Sequence, residues 1–216
     1  MIHKTTDALE GHFVLGVDLD GVCADYDSVF RQVVAREIGV DPASIGEQTT
    51  WNFADSGWPI RDLEHFQELH RLGVTAHRMF STAPAIPGAS DALWRLSDAG
   101  VYIRLITHRL YVSWDHAEVI SDTVRWLQQP REDNGKPLIP YRDLCFMSDK
   151  TAVGADLYVD DAPPNVEALR RVGADVICFD HAYNRNVPGL RAHNWDEVEE
   201  IVLRKIAERG ISISTD

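Results

Sequence analysis

The run from Phe13 to Asp20 restricts what this chain can fold into more than any other stretch. It begins with five residues that are apolar or glycine, continues with Asp18 and Asp20 two positions apart, and is followed at once by Gly21. A short uncharged run bounded by a turn residue is typical of a buried strand in a parallel sheet. Because parallel sheets carry their chemistry where the strands end, the two carboxylates are predicted to lie at a functional edge.

Asp18 and Asp20 point to the same side if the chain stays extended through both residues. A loop that begins directly after the strand turns one of them away, so both arrangements stay open at this point. Two carboxylates held together repel each other unless a cation or a shared proton relieves them. Mg²⁺, a hard ion that prefers oxygen ligands, is the cofactor that the pair favours.

Composition excludes several classes of function. The chain has 216 residues, 44% of them hydrophobic, and a net charge of −13, which predicts one domain, or a core domain with a smaller insert. An acidic surface repels nucleic-acid backbones and anionic membranes, so neither a nucleic-acid polymer nor a membrane is an expected partner. Three scattered cysteines, the lack of a signal-type segment and the lack of a run of about 20 apolar residues predict a cytoplasmic protein.

The predicted organisation is an α/β core interrupted by one insert. Residues 12–25 and 84–216 are expected to form a doubly wound parallel sheet covered on both faces, and residues 26–83 a small helical cap inserted after the first strand. The four later strands are predicted at Val101–Ile106, Leu144–Met147, Leu157–Val159 and Val176–Phe179. Helices are predicted at Asp25–Ile38, Ile60–Leu72 (ended by Gly73), Ala76–Phe80, Ala89–Ala99, Ser113–Leu127, Asn165–Val172 and Asp196–Glu208.

Polar residues follow four of the predicted strands. Asp18 and Asp20 end the first, Thr107 ends the second, and Lys150 comes after the third. The fourth ends in Asp160 and Asp161. In one parallel sheet these groups converge on one crevice, and together they suit phosphoryl transfer. A carboxylate attacks phosphorus, a magnesium ion offsets charge, a hydroxyl and an ammonium hold oxygens, and a second carboxyl group moves the proton.

The ordered set Asp18-Leu19-Asp20-Gly21, Thr107, Lys150 and Asp160-Asp161 resembles the four motifs of the haloacid dehalogenase superfamily of phosphatases. Shorter stretches resemble its 5′(3′)-deoxyribonucleotidases. They are Pro87-Gly88-Ala89, Asp149-Lys150-Thr151, Ala155-Asp156-Leu157, His181-Ala182-Tyr183-Asn184 and His193-Asn194-Trp195. The chain departs from that subfamily after Thr107, where His108-Arg109 stands in place of a Ser-Pro or similar small pair.

The resemblance implies a role for each motif. Asp18 is the nucleophile and Asp20 the general acid and base. Thr107 and Lys150 hold the phosphate. The Asp18 carboxylate, the Asp20 main-chain carbonyl and Asp161 ligate Mg²⁺, with Asp160 beside them. The implied activity is a magnesium-dependent hydrolysis of nucleoside monophosphates, deoxyribonucleotides among them, through an aspartyl-phosphate.

Substrate contacts are expected from the residues near these motifs. Gly21 lets its amide approach the phosphate, and His108 and Arg109 either contact phosphate or sugar or begin the next helix. Aromatic residues of the insert either stack on a nucleobase or fill the core of the cap. The aromatic candidates are Tyr26, Trp51, Phe53 and Trp58.

Three other interpretations are weighed against this one. A phosphatase for another small ester, such as a sugar phosphate, uses the same core. A phospho-receiver domain also combines Asp, Thr and Lys, but its lysine comes last, whereas Lys150 precedes the final acidic pair. A non-catalytic nucleotide-binding protein gains no support, because every expected catalytic residue is present. The sequence leaves open whether the protein is a monomer or a homodimer.

Overall fold

The computed structural model describes residues 11–110 and 115–211, and a parallel sheet lies at its centre. Within these residues the sheet has six strands in the order β3-β2-β1-β4-β5-β6, and every neighbouring pair is parallel. The strands are β1 Val14–Val17, β2 Tyr102–Thr107, β3 Asp143–Phe146, β4 Leu157–Asp160, β5 Val176–Phe179 and β6 Arg191–Ala192. The predicted doubly wound parallel sheet is therefore confirmed, with one short strand, β6, that the sequence did not indicate.

Helices cover both faces of the sheet. They are α1 Tyr26–Ile38, α2 Leu63–Thr75, α3 Met79–Thr82, α4 Ala89–Asp98, α5 His116–Leu127, α6 Pro163–Arg171 and α7 Trp195–Glu208. Successive side chains of β4 show which helices cover each face of the sheet. Leu157 and Val159 join the apolar cluster under α4, α5 and α7, whereas Tyr158 joins the cluster under α6. Successive strand residues point to opposite faces, so both faces of the strand are buried.

Residues 26–83 are mainly helical and carry an apolar cluster of their own. Phe30 packs edge-on against Phe53 and stacks on Trp58, with ring centroids 5.3 and 6.1 Å apart. Val119 of α5 also belongs to this cluster, which fixes the inserted segment against the sheet domain. The insert leaves the sheet after β1 and returns before α4, so it stands beside the carboxyl ends of the strands.

The predicted helix boundaries that differ from the observed ones include those of α2, α3 and α5. Gly73 does not end α2, which continues to Thr75. A Cβ atom on Gly73 would lie 2.7 Å from Sδ of Met79, so this glycine serves close packing rather than termination. The next helix begins at Met79 instead of Ala76, because Arg78 before it has a left-handed backbone. The helix predicted from Ser113 begins at His116, and Ser113 itself lies outside the described residues.

Within the described part of the chain, no helix is both long enough and apolar enough to cross a membrane.

Candidate active site

Three carboxylates meet at the carboxyl edge of the sheet. Asp18 follows β1, and Asp160 and Asp161 stand at the end of β4, which is the neighbour of β1. The main-chain amide of Asp18 donates to the carbonyl of Val159 at 3.0 Å, which extends the pairing of the two strands up to the acids. One carboxylate oxygen from each of the three residues lies within 4.8 Å of the other two. All three side chains are buried.

Lys150 supplies the positive charge in this cluster. It opens a short 3₁₀ turn after β3, Lys150–Ala152. Its Nζ lies 2.8 Å from Oδ2 of Asp18 and 2.7 Å from Oδ2 of Asp160. Burial alone would lower the pKa of Lys150, but attraction to Asp160 and Asp18 raises it above its ordinary value. The lysine therefore stays charged and holds two of the three carboxylates in place.

Asp18 is held in one orientation by a second contact. Its Oδ1 accepts a hydrogen bond from the amide of Leu19 at 2.7 Å, while Oδ2 faces Lys150. Burial raises the pKa of the Asp18 carboxyl well above its ordinary value, although Lys150 opposes this shift. A carboxylate that is desolvated, oriented and ion-paired is suited to nucleophilic attack.

Asp161 has the unsatisfied oxygen of the group. Its Oδ1 is buried and has no hydrogen-bond partner, while Oδ2 accepts from the hydroxyl of Tyr183. Burial, reinforced by repulsion from Asp160, raises the pKa of Asp161 from 3.8 to about 7. A buried carboxylate oxygen without a donor is rare in folded proteins unless something else binds it. Three clustered carboxylates with one free oxygen fit a hard divalent cation such as Mg²⁺.

Gly21 lies against Asp161 and His181. Its φ is +77°, and a Cβ atom there would lie 2.3 Å from Oδ2 of Asp161. Its carbonyl accepts a hydrogen bond from Nε2 of His181 at 2.6 Å. Only glycine therefore allows both the turn after Asp20 and the close approach of Asp161.

Thr107 and His108 extend the site along β2. Leu105 pairs with Val17 in register, so Thr107 comes beside the chain that leaves β1. Thr107 is buried, and its hydroxyl accepts from the amide of Arg109 at 3.3 Å. Burial and the charge of Lys150 lower the pKa of His108, whose Nε2 is buried without a partner. His108 therefore lies close enough to Lys150 and Asp160 to feel their charges, and Thr107 precedes it at the end of β2.

Asp20 and Arg109 bind each other rather than the cluster. Nη2 of Arg109 lies 2.7 Å from Oδ1 of Asp20, and Nε lies 3.0 Å from Oδ2. The Asp20 carboxylate therefore has a partner of its own and, among the described residues, is not part of the group formed by Asp18, Asp160 and Asp161. The sequence left open whether Arg109 contacts substrate or begins the next helix; the structure shows a contact inside the protein, and the next helix begins at His116.

The four aromatic candidates of the insert occupy different environments. Phe53 and Trp58 are buried in the core of the insert, and Tyr26 stacks on Phe30. Trp51 is 50% exposed, and its ring lies 5.7 Å from the ring of Tyr183, the residue bonded to Asp161. Among these four, Trp51 reaches toward the carboxylate cluster with an open face.

Two residues of the site were not singled out as functional from the sequence. Tyr183 and His181 follow β5 and stack on each other, with ring centroids 4.9 Å apart and planes 5° from parallel. Each bonds a residue of the acidic motifs, Tyr183 to Asp161 and His181 to Gly21. Their position after a fifth neighbouring strand was the available signal, since that strand ends at the same edge of the sheet.

A family model and a similar curated protein both relate this chain to the deoxyribonucleotidases. Residues 12–208 match the family model described as 5′ nucleotidase, deoxy (pyrimidine), cytosolic type C protein. A protein of Chlorobaculum tepidum, named "Putative 5′(3′)-deoxyribonucleotidase", is 41% identical over 199 residues, which cover 92% of this chain and 94% of that protein.

Solved structures show the same fold at low identity. A haloacid dehalogenase (HAD) family hydrolase from Deinococcus radiodurans, with bound phosphate and sodium, has a TM-score of 0.57 at 15% identity. The match covers 90% of this chain and 96% of that one. A haloacid dehalogenase-like protein from Agrobacterium tumefaciens gives 0.56 at 14% identity, covering 89% and 98%. The predicted haloacid dehalogenase-like core is thereby confirmed.

Proposed function

This chain belongs to the 5′ nucleotidase, deoxy (pyrimidine), cytosolic type C family, and from that premise we propose that it hydrolyses nucleoside 5′-monophosphates, deoxyribonucleotides among them, with Mg²⁺ and through an aspartyl-phosphate. The family makes it a phosphoric monoester hydrolase of the haloacid dehalogenase type, acting on a small nucleotide phosphate. The metal, the covalent intermediate and the roles of single residues are the proposed part.

The observation that carries the proposal is the contact of Lys150 with Asp18 inside a cluster of three buried carboxylates. A lysine at 2.8 Å aligns the Asp18 carboxylate and offsets part of the charge that a phosphate dianion brings to it. Asp18 and Asp161, with the main-chain carbonyl of Asp20 and with Asp160 beside them, would hold the Mg²⁺ ion. When bound, that ion supplies positive charge that offsets the phosphate oxygens during transfer.

The chain's own residues then divide the reaction into two steps. In the first, an Asp18 oxygen attacks phosphorus, the ester P–O bond breaks, and the leaving oxygen takes a proton from Asp20. In the second, water attacks phosphorus, Asp20 takes a proton from that water, and the bond to Asp18 breaks to release phosphate. Asp20 regains the proton that it gave, so the cycle balances. Thr107 and Lys150 bind phosphate oxygens. The amide of Gly21, expected from the sequence to approach the phosphate, instead donates to the carbonyl of Ala24 at 2.9 Å.

The test compares wild-type protein with Asp18→Asn and with Asp98→Asn, a surface control on α4. We expect phosphate release from a deoxyribonucleoside monophosphate with Mg²⁺ in the wild type and in Asp98→Asn, and none in Asp18→Asn, at equal melting temperature. Acid-quenched wild-type protein should carry labelled phosphate on Asp18. Turnover by Asp18→Asn at the wild-type rate would falsify the proposal.

Substrate class is tested separately with a set of phosphate esters compared by kcat/KM. We expect nucleoside 5′-monophosphates to exceed sugar phosphates. Uniformly weak rates on every nucleotide, together with a fast sugar phosphate, would assign the site to another small ester. The cytoplasmic location and the choice between monomer and homodimer stay predictions.

A further inference from the structure

Arg109 is an arginine whose side chain is 0% exposed, yet it is directed at a residue of the proposed catalytic machinery. Its Nε and Nη2 form a two-point contact with the carboxylate of Asp20, as described above. Its remaining nitrogen, Nη1, donates to Oγ1 of Thr123 in α5 at 3.1 Å. Each of the three guanidinium nitrogens therefore donates to an acceptor inside the protein, and the fully enclosed side chain is not open to a ligand.

The flat faces of the same guanidinium are also covered. Its central carbon lies 4.3 Å from the ring centroid of Phe80 in α3 and 5.9 Å from that of Trp126 in α5. Contacts of this kind stabilise a cation in a desolvated position. Arg109 is thus held by one residue of α3, Phe80, and by two residues of α5, Trp126 and Thr123. Its planar guanidinium has one orientation, because it cannot rotate without losing several of these contacts.

Asp20 is the less constrained partner of the pair. Its side chain is 27% exposed, whereas that of Arg109 is fully enclosed. A side chain so close to the strand end, followed directly by Gly21, would otherwise have several rotamers open to it. The two-point contact selects one of them. A group that moves protons in both steps of a reaction benefits from a fixed orientation, since small displacements of such groups slow the transfer strongly.

We propose that Arg109 is a positioning residue that acts through Asp20, fixing the orientation of the carboxylate that moves protons in both half-reactions. This inference rests on the proposed function of the site. It assigns Arg109 no contact with substrate, which was one of the two roles that its place after Thr107 left open. The first step on a substrate with a good leaving group then requires neither Asp20 nor Arg109.

The test uses p-nitrophenyl phosphate, from which nitrophenolate departs without needing a proton. Asp18 still attacks phosphorus and the ester P–O bond still breaks. In the second step Asp20 takes the proton of the attacking water and later releases it to solvent. In stopped-flow measurements on Arg109→Met we expect a first phase within about threefold of the wild-type rate, because no proton transfer is involved. Steady-state kcat should fall about tenfold to a hundredfold, at or below the smallest typical contribution of an acid–base group, because Asp20 itself is retained.

A burst of nitrophenolate close to one equivalent per active site should therefore appear in Arg109→Met. Arg109→Lys keeps the charge without the fork, so its steady-state rate should lie between those of the wild type and Arg109→Met. Because kcat/KM reflects binding and the first step only, it should stay near the wild-type value in both variants, so KM should fall together with kcat. A KM increase with unchanged kcat would overturn the proposal, because Arg109 would then bind substrate.

A double-mutant cycle with Asp20→Ala tests whether Arg109 acts through Asp20. If it does, Arg109→Met combined with Asp20→Ala should be no slower than Asp20→Ala alone. A double variant that loses the product of the two single effects would overturn the proposal, as would an equal loss of the first phase and the steady state in Arg109→Met.

Failure of the underlying function looks different from failure of this inference. In that case no variant, nor the wild type, would show covalent phosphate on Asp18, and Asp18→Asn would keep its turnover. Covalent phosphate on Asp18 in the wild type, with a multiplicative double-mutant cycle, would leave the function standing and exclude the role of Arg109.

Discussion

The ammonium nitrogen of Lys150 lies 2.8 Å from Oδ2 of Asp18, and both side chains are less than a tenth exposed. The same nitrogen contacts Asp160 at 2.7 Å, so one positive charge serves two buried carboxylates. Asp161, the third, has a buried oxygen without a donor. With all three ionised the cluster carries three negative charges against one positive charge. Lysine alone offsets only part of the repulsion, which is why the site favours a divalent ion in addition.

Replacing Lys150 by methionine should separate the stabilisation that the lysine charge gives to the carboxylates from that given by a divalent ion. The change leaves Asp18 and Asp160 buried without a cation, and removing one partner of a buried pair typically costs about 3–5 kcal/mol. We expect the free energy of unfolding to fall by about that amount without Mg²⁺, and by less with it. Turnover should be lost, because Asp18 loses its alignment. Urea denaturation with and without Mg²⁺ measures the first effect.

Lys205→Met is the matched control for this substitution. Lys205 pairs with Asp175 at 3.0 Å on the surface, with side chains 27% and 49% exposed. Exposed pairs contribute between zero and about 1 kcal/mol. If the free energy of unfolding fell no more in Lys150→Met than in Lys205→Met, the buried ion pairs of Lys150 with Asp18 and Asp160 would be contradicted.

Gly21→Ala should displace the carboxylate of Asp161. The added Cβ would lie 2.3 Å from Oδ2 of Asp161, and the backbone at φ +77° disfavours any side chain. We expect a loss of stability together with a loss of the rise in melting temperature that Mg²⁺ produces in the wild type. Isothermal titration with Mg²⁺ measures the second effect directly.

Gly100→Ala separates backbone strain from displacement of the ligand. Gly100 has φ +96°, and its Cβ would have no neighbour within 4 Å. It should lose about 1–3 kcal/mol from strain alone and keep full Mg²⁺ binding. Equal Mg²⁺ affinity in the two alanine variants would show that Asp161 is not the group displaced.

The sheet and the acidic cluster were predictable because their signals are local. The uncharged run before Asp18 identifies β1, and acids placed directly at strand ends must share an edge once the strands are parallel. The same argument brought Lys150 to that edge. What these predictions needed was the order of residues along the chain, together with the general geometry of parallel sheets.

The environments of the insert aromatics and the partner of Arg109 could not be predicted, because they depend on contacts between distant segments. Trp51 and Phe53 lie two positions apart in one loop, yet one is half exposed beside Tyr183 and the other is buried against Phe30. Nothing in the local composition distinguishes them, because the difference arises from how the loop folds back onto α1. Arg109 is 89 positions from Asp20, so its partner could not be inferred from its neighbours in the chain.

Trp51→Ala should weaken binding of a nucleotide without affecting a phosphate ester that has no base. Its ring is exposed and adjacent to Tyr183, whose hydroxyl bonds Asp161. Stacking of a base on an aromatic ring contributes about 1–3 kcal/mol, which corresponds to at least a fivefold rise in KM. Steady-state kinetics on a nucleoside monophosphate and on a sugar phosphate measure the difference.

Two controls accompany Trp51→Ala. Trp51→Phe keeps an aromatic face and should restore most of the affinity, and Leu63→Ala removes an apolar side chain that is 70% exposed on α2. Leu63→Ala should leave both KM values unchanged. An equal rise in KM for the two substrates in Trp51→Ala would mean that the ring supports the site without contacting a base.

The raised pKa of Asp161 predicts how the stability of the metal-free protein depends on pH. Its pKa is raised from 3.8 to about 7, mainly by burial. Between those pH values the folded protein holds a proton that the unfolded chain has lost, so the free energy of unfolding falls as pH rises. The slope from this group is at most about 1.4 kcal/mol per pH unit, and it disappears above pH 7.

The comparison of wild type with Asp161→Asn isolates that contribution. Burial lowers the pKa of His70 from 6.5 to about 4, which gives an opposite slope over part of the same range. His70 is present in both proteins, so its effect cancels in the difference. We expect the stability of the wild type relative to Asp161→Asn to decline from pH 4 to pH 7 in denaturation measured with a chelator. Added Mg²⁺ should reverse the decline near pH 7, because it binds the ionised carboxylate. A difference that stays flat across this range would show that Asp161 titrates normally in the folded protein.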